Sequence, residues 1–445
     1  MKTSPSTFLR AAPNLLLGAM FVFVPFYALI TVWLGTTLGG YSIWRVIPEI
    51  TLLALGVVAA ITMMQEKNRP GTLFRDRLLQ VCLAYIGILV VYGMVSYFRG
   101  DVGARAILQG MVMDLRLPVA FLAAYLVAPR INGVEGKLWR WILWPAVGVV
   151  VFGLLQTFVL PPDTLRHVGY GPTTVPAVTL VDQKADFPRV QSTLRGPNPL
   201  GAYLIIILSA LTVALVKSRK RWQATVFGLA AAVVLIYTYS RSAYIGAFIG
   251  VAGICWLLAG RYRRWLLVAS GLLVIIFITS LVLLRNNDQF QNVFFHTDET
   301  SRSSRSSNQD RASALHDGFI ELAHDPVGRG VGTAGPSSVY SGEGTRITEN
   351  YYLQIGQETG WLGLALFLGF TGLIAYRLWS YRRNHWAIVL LASGVGLVVV
   401  NCLSHAWTDP TLAYVWWLAA GLTIGSGILS SESPNKHAKK TTQRL

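Results

Sequence analysis

Long apolar runs dominate this chain and restrict its fold more than any other feature. Twelve runs are each long enough to cross a bilayer, which takes about 20 residues. They lie near 14–34, 46–64, 78–98, 106–128, 140–160, 199–216, 222–239, 242–259, 265–284, 351–376, 386–404 and 411–429. Because a backbone in lipid must satisfy its own hydrogen bonds, such runs fold as helices. The sequence therefore predicts an all-α, polytopic membrane protein with about 12 transmembrane helices.

The composition agrees with this class. Charged residues make up 13% of the 445 residues and hydrophobic residues 53%, whereas a soluble domain carries about 25% charged residues. The first apolar run is longer than a signal-peptide core and lacks a cleavage site, so we interpret it as a transmembrane helix. The three cysteines lie inside apolar runs, which indicates packing rather than a disulfide framework.

The basic residues predict the topology. The net charge is +17, and most of the 38 lysines and arginines fall in short connections on one side of the alternating runs. Cytoplasmic loops carry this excess of positive charge. Both termini are therefore predicted to be cytoplasmic, and this explanation of the charge leaves no need for a nucleic-acid partner.

Two long connections, 161–198 and 285–350, then fall on the outer side. They suggest an N-terminal bundle, 1–198, followed by a second membrane region, 199–445, which contains the larger loop. Within that loop the pattern from 310 to 323 predicts an amphipathic helix. An Asp-Pro pair ends it, and a glycine-rich turn follows at 328–335.

Four arginines are predicted near the membrane border on the outer side: Arg189, Arg195, Arg241 and Arg311. An arginine at the end of a span is commonly a snorkelling anchor. Arg241 is less easily explained in this way, because it is the sole charge in a very short outer turn. Guanidinium groups bind phosphate through paired hydrogen bonds. Arginines converging on one outer cavity would therefore suit a diphosphate.

Glu349 begins the tenth run. It is either a favourable charge at a helix N-terminus or a general base that accepts a hydroxyl proton. Asn350 and Gln354 are predicted on one face of the same helix, where they would orient a sugar hydroxyl.

Other polar residues carry less specific signals. Asp114 and Arg116 lie two residues apart in the fourth run, so we expect each to find a partner on another helix. His405 and Asp409 occupy a short outer turn that would line the same cavity. The histidines of the larger loop have no metal-ligand spacing, so no metal is predicted; they are His296, His316 and His324.

Three blocks of sequence resemble the O-antigen ligase and polymerase family of bacterial envelope glycosyltransferases. They are RVQSTLRGPNPLGAYL from 189, TYSRSAYIG from 238, and DRASALHDGFIELAHDPVGRGVGTAG from 310 with ENYYLQIGQETGWLG from 349. The resemblance covers about 189–265 and 310–370, whereas the N-terminal spans match only in hydropathy. Members of the family usually have His-Asn where this chain has Glu349-Asn350.

The resemblance implies an inverting, metal-independent glycan transfer at the outer face of the bacterial cytoplasmic (inner) membrane, with no cofactor. The donor would be a polyprenyl diphosphate-linked glycan, and the acceptor a glycan, lipid A core or another hydroxyl. Glu349, Arg241 and Arg311 would be catalytic. The implied substrate-binding residues are Arg189, Arg195, Asn198, Asn350, Gln354 and His316.

Two other functions remain open at this point. A 12-span secondary transporter or lipid-linked glycan flippase fits the number of spans, although no internal repeat is visible and the polar residues cluster on one face. A non-catalytic relative that binds a lipid-linked glycan without transferring it is also compatible with Glu349 in place of histidine.

Overall fold

The computed structural model describes residues 5–65, 75–100, 102–181, 184–217, 221–258, 279, 307–342 and 344–442. Within these ranges the protein is almost entirely helical, with one small two-stranded sheet. The α-helices are α1 (Pro5–Phe23), α2 (Tyr27–Thr37), α3 (Tyr41–Trp44), α4 (Ile47–Gln65), α5 (Arg77–Arg99), α6 (Ala104–Val127), α7 (Val134–Phe158), α8 (Pro197–Lys217), α9 (Arg221–Tyr237), α10 (Arg241–Leu258), α11 (Ser307–His324), α12 (Tyr351–Ser380), α13 (His385–Cys402) and α14 (Pro410–Thr442).

The architecture is that of an all-α polytopic membrane protein. In the described part of the chain, nine helical stretches are long and apolar enough to cross a membrane, and α9 is a shorter apolar helix. The predicted runs that fall on described residues all coincide with helices. The run near 265–284 lies outside the described residues, apart from residue 279.

The first predicted span is not one continuous helix. A 3-10 turn, Val24–Phe26, separates α1 from α2, because Pro25 has no N–H to continue the helical ladder. The hydroxyl of Thr193 donates to the carbonyl oxygen of Pro25 at 2.7 Å, and the hydroxyl of Thr411 donates to that of Val24 at 3.2 Å. Buried side chains from two distant segments thus satisfy the carbonyl groups at this break, as a membrane interior requires.

A second break lies inside α12, at Gly360. This glycine has φ 66° and ψ −171°, which no helical residue adopts. The segment 325–335, which we call the glycine loop, fills the break. The N–H groups of Arg329 and Gly330 donate to the carbonyl oxygens of Gln357 and Glu358, both at 2.9 Å. The loop therefore pairs main-chain groups that the break would otherwise leave unsatisfied.

Glycines allow this loop to approach its neighbours closely. Gly330 has φ +104°, and a Cβ atom there would lie 2.1 Å from the Oγ atom of Ser96 on α5. A Cβ atom on Gly332 would lie 2.8 Å from the main chain of Ala106 on α6. The glycine loop is thus packed between α5, α6 and α12.

Small residues also bring the long helices together. A Cβ atom on Gly421 of α14 would lie 2.4 Å from the carbonyl oxygen of Phe121 on α6, and one on Gly396 of α13 would lie 2.3 Å from that of Gly246 on α10. Such close contacts are the usual basis of helix association in membranes, where dispersion replaces the hydrophobic effect.

The described parts of the two long connections contain a strand pair and a helix. Strand β1 (Thr179–Val181) pairs antiparallel with β2 (Lys184–Arg189). Helix α11 confirms the amphipathic helix predicted for the larger loop, and it ends just before the Asp-Pro pair. It packs on α12, where Leu322 contacts Gly356 and the amide of Gln357 donates to the Glu321 carboxylate at 2.6 Å.

Candidate functional site

Three short segments meet at one end of the bundle, which we call the Arg241 end. They are the turn between α9 and α10, the start of α12, and the connection 403–409 between α13 and α14. The Asn350 amide donates to the carbonyl oxygen of Cys402 at 3.1 Å, which joins the second segment to the third. Gly246 lies against Val400, which brings the first half of α10 beside the last turn of α13.

Strained backbone marks this end. Among described residues other than glycine, those with a left-handed φ are Ser192 (52°), Tyr239 (49°) and Glu349 (50°). They lie close in sequence to the predicted site residues Arg189 and Arg195, Arg241 and Asn350, respectively. Such a conformation costs about 1–3 kcal/mol, and it persists where the surroundings hold it, often at functional sites.

Arg189 is held at the end of β2. Its Nε atom donates to the carbonyl oxygen of Thr238 at 2.8 Å, and its Nη2 atom donates to the Asn198 side-chain oxygen at 2.6 Å. The N–H of Val190 donates to the carbonyl oxygen of Tyr237 at 2.9 Å. The structure thus brings Arg189 and Asn198 together, beside the turn that leads into Arg241.

Arg241 is the first residue of α10 and is half-buried. The turn before it is tightly packed, since a Cβ atom on Gly201 of α8 would lie 2.6 Å from Ala243 and 3.3 Å from Ser240. A helix N-terminus carries partial positive charge, so the Arg241 guanidinium group and the N-terminus of α10 are both positive. Together they would attract an anion bound at this end of the bundle.

Glu349 directly precedes α12, whose first turn is capped by its neighbour. The Asn350 side-chain oxygen accepts hydrogen bonds from the N–H groups of Tyr352 and Leu353, both at 3.0 Å. Asn350 is therefore engaged in capping, and this holds Glu349 at the helix start.

Gln354 was expected on an open face of α12, but the structure buries it. Its side chain is 0% exposed and lies directly beneath Gly335. Contact between Gln354 and a sugar would therefore require the glycine loop to move.

The connection 403–409 contains both polar residues that the sequence singled out there. Burial lowers the pKa of His405 to about 4, and its Nε2 atom is buried with no hydrogen-bond partner among the described residues. The imidazole is therefore neutral near pH 7. Burial raises the pKa of Asp409, while nearby Arg195 opposes that shift. Asp409 also accepts the N–H of Thr411 at 2.9 Å and so caps α14.

Two predicted site residues lie on α11. The helix places Arg311 in its first half, but the side chain of Arg311 is outside the described residues. His316 is exposed, with its Nδ1 atom 3.6 Å from a carboxylate oxygen of Asp317. In the described ranges, no three histidine, cysteine or acidic side chains are grouped as metal ligands.

Two openings lie beside these residues. One cavity of about 220 Å³ next to Arg189 is lined by Gln156, Gln191, Tyr237 and Tyr239, among others. A groove of about 360 Å³ runs between α4 and α6, and its lining is apolar except near Glu49, Arg116 and Tyr414. Arg116 donates to the carbonyl oxygen of Thr408 at 3.0 Å, which connects the groove to the 403–409 connection.

The expected partners of Asp114 and Arg116 are confirmed to lie on other helices. Arg116 forms an ion pair with Glu49 of α4 at 2.6 Å. Asp114 accepts a hydrogen bond from the Tyr351 hydroxyl at 3.4 Å and also faces Glu358. Sequence analysis did not single out Glu358, although an acid inside an apolar run is itself a signal of a functional or paired group.

Comparison with known proteins agrees with the sequence resemblance. The family model described as O-antigen ligase matches residues 226–368, from within α9 to within α12. No curated protein matches the chain significantly. The matched region includes all three residues predicted to be catalytic, Arg241, Arg311 and Glu349, and three of the six predicted to bind substrate, His316, Asn350 and Gln354. Residues 226–368 of this membrane-embedded, helical protein therefore match the O-antigen ligase family.

Proposed function

We propose that this protein transfers a glycan from a polyprenyl diphosphate-linked donor to an acceptor hydroxyl. The reaction would invert the anomeric centre, need no metal ion, and take place at the outer face of the bacterial cytoplasmic membrane. Both termini would then lie in the cytoplasm. The acceptor is a growing polysaccharide, lipid A core or another hydroxyl-bearing molecule.

The observation that carries this proposal is the convergence at the Arg241 end. Left-handed residues occur beside Arg189, Arg241 and Asn350 on three separate segments. The first two segments are hydrogen-bonded to each other, and the third is bonded to Cys402 at the end of α13, whose last turn lies against α10. Each strained residue costs stability, so its presence beside a candidate group supports a functional constraint. An arginine that only anchored a helix at the membrane border would need no strained backbone beside it.

In this proposal the arginines hold the diphosphate. Arg241 and Arg311 would bind the leaving group and stabilise the charge that develops as the bond to the sugar breaks. Arg189, supported by Asn198, and Arg195 would contact the same diphosphate or the first sugars. His316 is exposed on the helix of Arg311, where it is available to the glycan.

Glu349 would act as the base that removes the acceptor proton. Its position before the capped start of α12 is held on one side by Asn350. The cavity beside Arg189 offers two tyrosines and two glutamines, a lining suited to sugar hydroxyls and sugar faces. The apolar groove near Arg116 would suit the polyprenyl chain of a lipid-linked donor.

A reconstituted transfer assay tests the proposal. Proteoliposomes with the purified protein would receive a polyprenyl diphosphate-oligosaccharide donor and an acceptor, with EDTA present. We expect Arg241→Ala to lower the transfer rate at least about 100-fold, and Glu349→Gln to lower it by a similar factor. Arg382→Ala, which changes an exposed arginine between α12 and α13, is the matched control and should retain the parent rate.

The reaction products distinguish a ligase, a polymerase and a transporter. Attachment of a single donor glycan would indicate a ligase, whereas a ladder of lengths would indicate a polymerase. Transfer that needs an added metal would refute the metal-independent mechanism. If the donor instead crosses the bilayer unchanged, the protein is a transporter or flippase and the proposal is wrong.

A further inference from the structure

Two acidic side chains are neighbours inside the helical bundle. Asp114 of α6 is 1% exposed and Glu358 of α12 is 0% exposed, and their carboxyl groups lie close enough to interact. Asp114 Oδ2 and Glu358 Oε2 are both buried without a hydrogen-bond partner among the described residues. The sequence separates these residues widely, and only the packing of α6 against the start of α12 brings them together.

A single proton between the two carboxyl groups would give both of these oxygens a hydrogen-bond partner. An ionised carboxylate only accepts hydrogen bonds, so such a bond requires one of the two groups to be protonated. The guanidinium group of Arg116 donates through its two Nη atoms to Glu49 and to the Thr408 carbonyl oxygen, and no hydrogen bond joins it to Asp114 or Glu358 in the described part of the chain. Two adjacent anions would also repel each other strongly in a medium of low dielectric constant.

The remaining oxygens of the pair connect three parts of the protein. Glu358 Oε1 accepts the N–H of Gly332 at 2.8 Å and that of Ala334 at 3.4 Å. Asp114 Oδ1 accepts the Tyr351 hydroxyl. The pair therefore links α6, the first turn of α12 and the glycine loop.

We propose that Asp114 and Glu358 share a single proton and that this pair holds the glycine loop in the break of α12. The resulting single negative charge is matched by the two loop N–H groups and the tyrosine hydroxyl. Removing the Glu358 side chain would leave both N–H groups buried without an acceptor, which is costly in a dry interior.

The glycine loop connects the Asp114–Glu358 pair to the helix that carries a predicted catalytic residue. The glycine loop follows α11 directly, and Arg329 of the loop forms an ion pair with Glu321 of α11 at 2.7 Å. A displaced loop would therefore displace α11, the helix that carries Arg311. This last step rests on the proposed function, and in it Asp114 and Glu358 are positioning residues that do not touch the substrate.

We call the hold of the Asp114–Glu358 pair on the glycine loop the clamp, and thiol labelling tests it without an activity assay. Val331 in the glycine loop is 0% exposed, so Val331→Cys in a background without the three native cysteines should react slowly with a membrane-impermeant maleimide. We expect Glu358→Ala to raise the labelling rate at least about tenfold, because two hydrogen bonds to the loop are lost. Glu358→Gln keeps an acceptor oxygen and should change the rate about twofold or less. Asp163→Asn, which changes an exposed acid away from the loop, is the control.

Infrared difference spectra test the shared proton. The parent protein should show the carbonyl band of a protonated carboxylic acid that is lost in Asp114→Asn and equally in Glu358→Gln, since an amide then replaces the proton donor. Glu49→Gln should retain the band. A band that persists in both substitutions refutes the shared proton, and protected Val331→Cys in Glu358→Ala refutes the clamp. If Glu358→Ala does not fold, the infrared spectra of the two conservative variants decide.

The glycan-transfer rate distinguishes a failure of this proposal from a failure of the proposed function. In the transfer assay, Glu358→Gln should retain most of the rate and Glu358→Ala should lose it. If the parent protein transfers no glycan, the proposed function fails, while labelling and infrared spectra still decide the carboxyl pair. If Glu358→Ala transfers at the parent rate with an exposed loop, the pair is a structural clamp without a positioning role.

Discussion

Gly330→Ala should destabilise the protein severely, and the structure allows the two causes to be separated. The backbone at Gly330 has φ +104°, a conformation that costs a residue with a Cβ atom about 1–2 kcal/mol. The new methyl group would lie 2.1 Å from the Ser96 Oγ atom, and forced overpacking costs about 1–3 kcal/mol more. We therefore expect a loss of about 3 kcal/mol in the free energy of unfolding.

A matched glycine isolates the backbone contribution. Gly342 has φ +87°, and nothing lies within 4 Å of the position that a Cβ atom would take. Gly342→Ala should therefore lose only the backbone part, about 1 kcal/mol. In the double variant Gly330→Ala/Ser96→Ala, the hydroxyl that clashes is gone, and about half of the loss should return.

The assay is equilibrium unfolding of the purified protein in detergent, followed by tryptophan fluorescence. Gly330→Ala, Gly342→Ala and the double variant are compared with the parent and with Ser96→Ala. Equal losses for Gly330→Ala and Gly342→Ala would show that the glycine loop does not pack against α5. A double variant no more stable than Gly330→Ala would show that Ser96 is not the obstacle.

Two further predictions concern buried polar groups. Because burial lowers the pKa of His405 to about 4 from 6.5, the unfolded chain binds a proton at a higher pH than the folded protein does. The free energy of unfolding should therefore fall by about 3 kcal/mol as the pH is lowered from 6.5 towards 4. His405→Gln should remove this loss, and parallel pH profiles for parent and variant would contradict it. Glu49→Gln should cost about 2–3 kcal/mol in unfolding experiments, because it leaves the Arg116 guanidinium, which is 5% exposed, without its ion partner. Asp163→Asn, at an exposed ion pair with Arg166, should cost less than about 1 kcal/mol, and equal losses at the two sites would refute the buried pairing.

Local sequence patterns determined much of the architecture. Hydropathy located the helices because each transmembrane helix satisfies its own main chain, so its signal is contained in one segment. The amphipathic helix of the larger loop, its end at the Asp-Pro pair and the glycine-rich turn were likewise predicted from short stretches. The run near 14–34 was predicted as one helix, although Pro25 breaks it; hydropathy alone does not register the missing N–H.

The identities of the candidate site residues were accessible for a different reason. Arg241 stood out as a lone charge in a short turn, and Glu349 as an acid at the start of an apolar helix. Their roles remain predictions, since sequence alone does not define the geometry around them. Gln354 illustrates the difficulty: its helix position suggested a face open to sugar, yet its side chain is fully buried with Gly335 of the glycine loop against it.

What the sequence by itself determined is the helical membrane class, the positions of the described helices and the chemistry available at one end of the bundle. Only the tertiary structure decided that Arg116 pairs with Glu49, that Asp114 faces Glu358, and that the glycine loop enters the break at Gly360. The physical reason is that hydropathy and helix propensity act within a segment. The rotation and partners of each helix instead depend on many weak contacts between distant segments, which leave no local pattern to read.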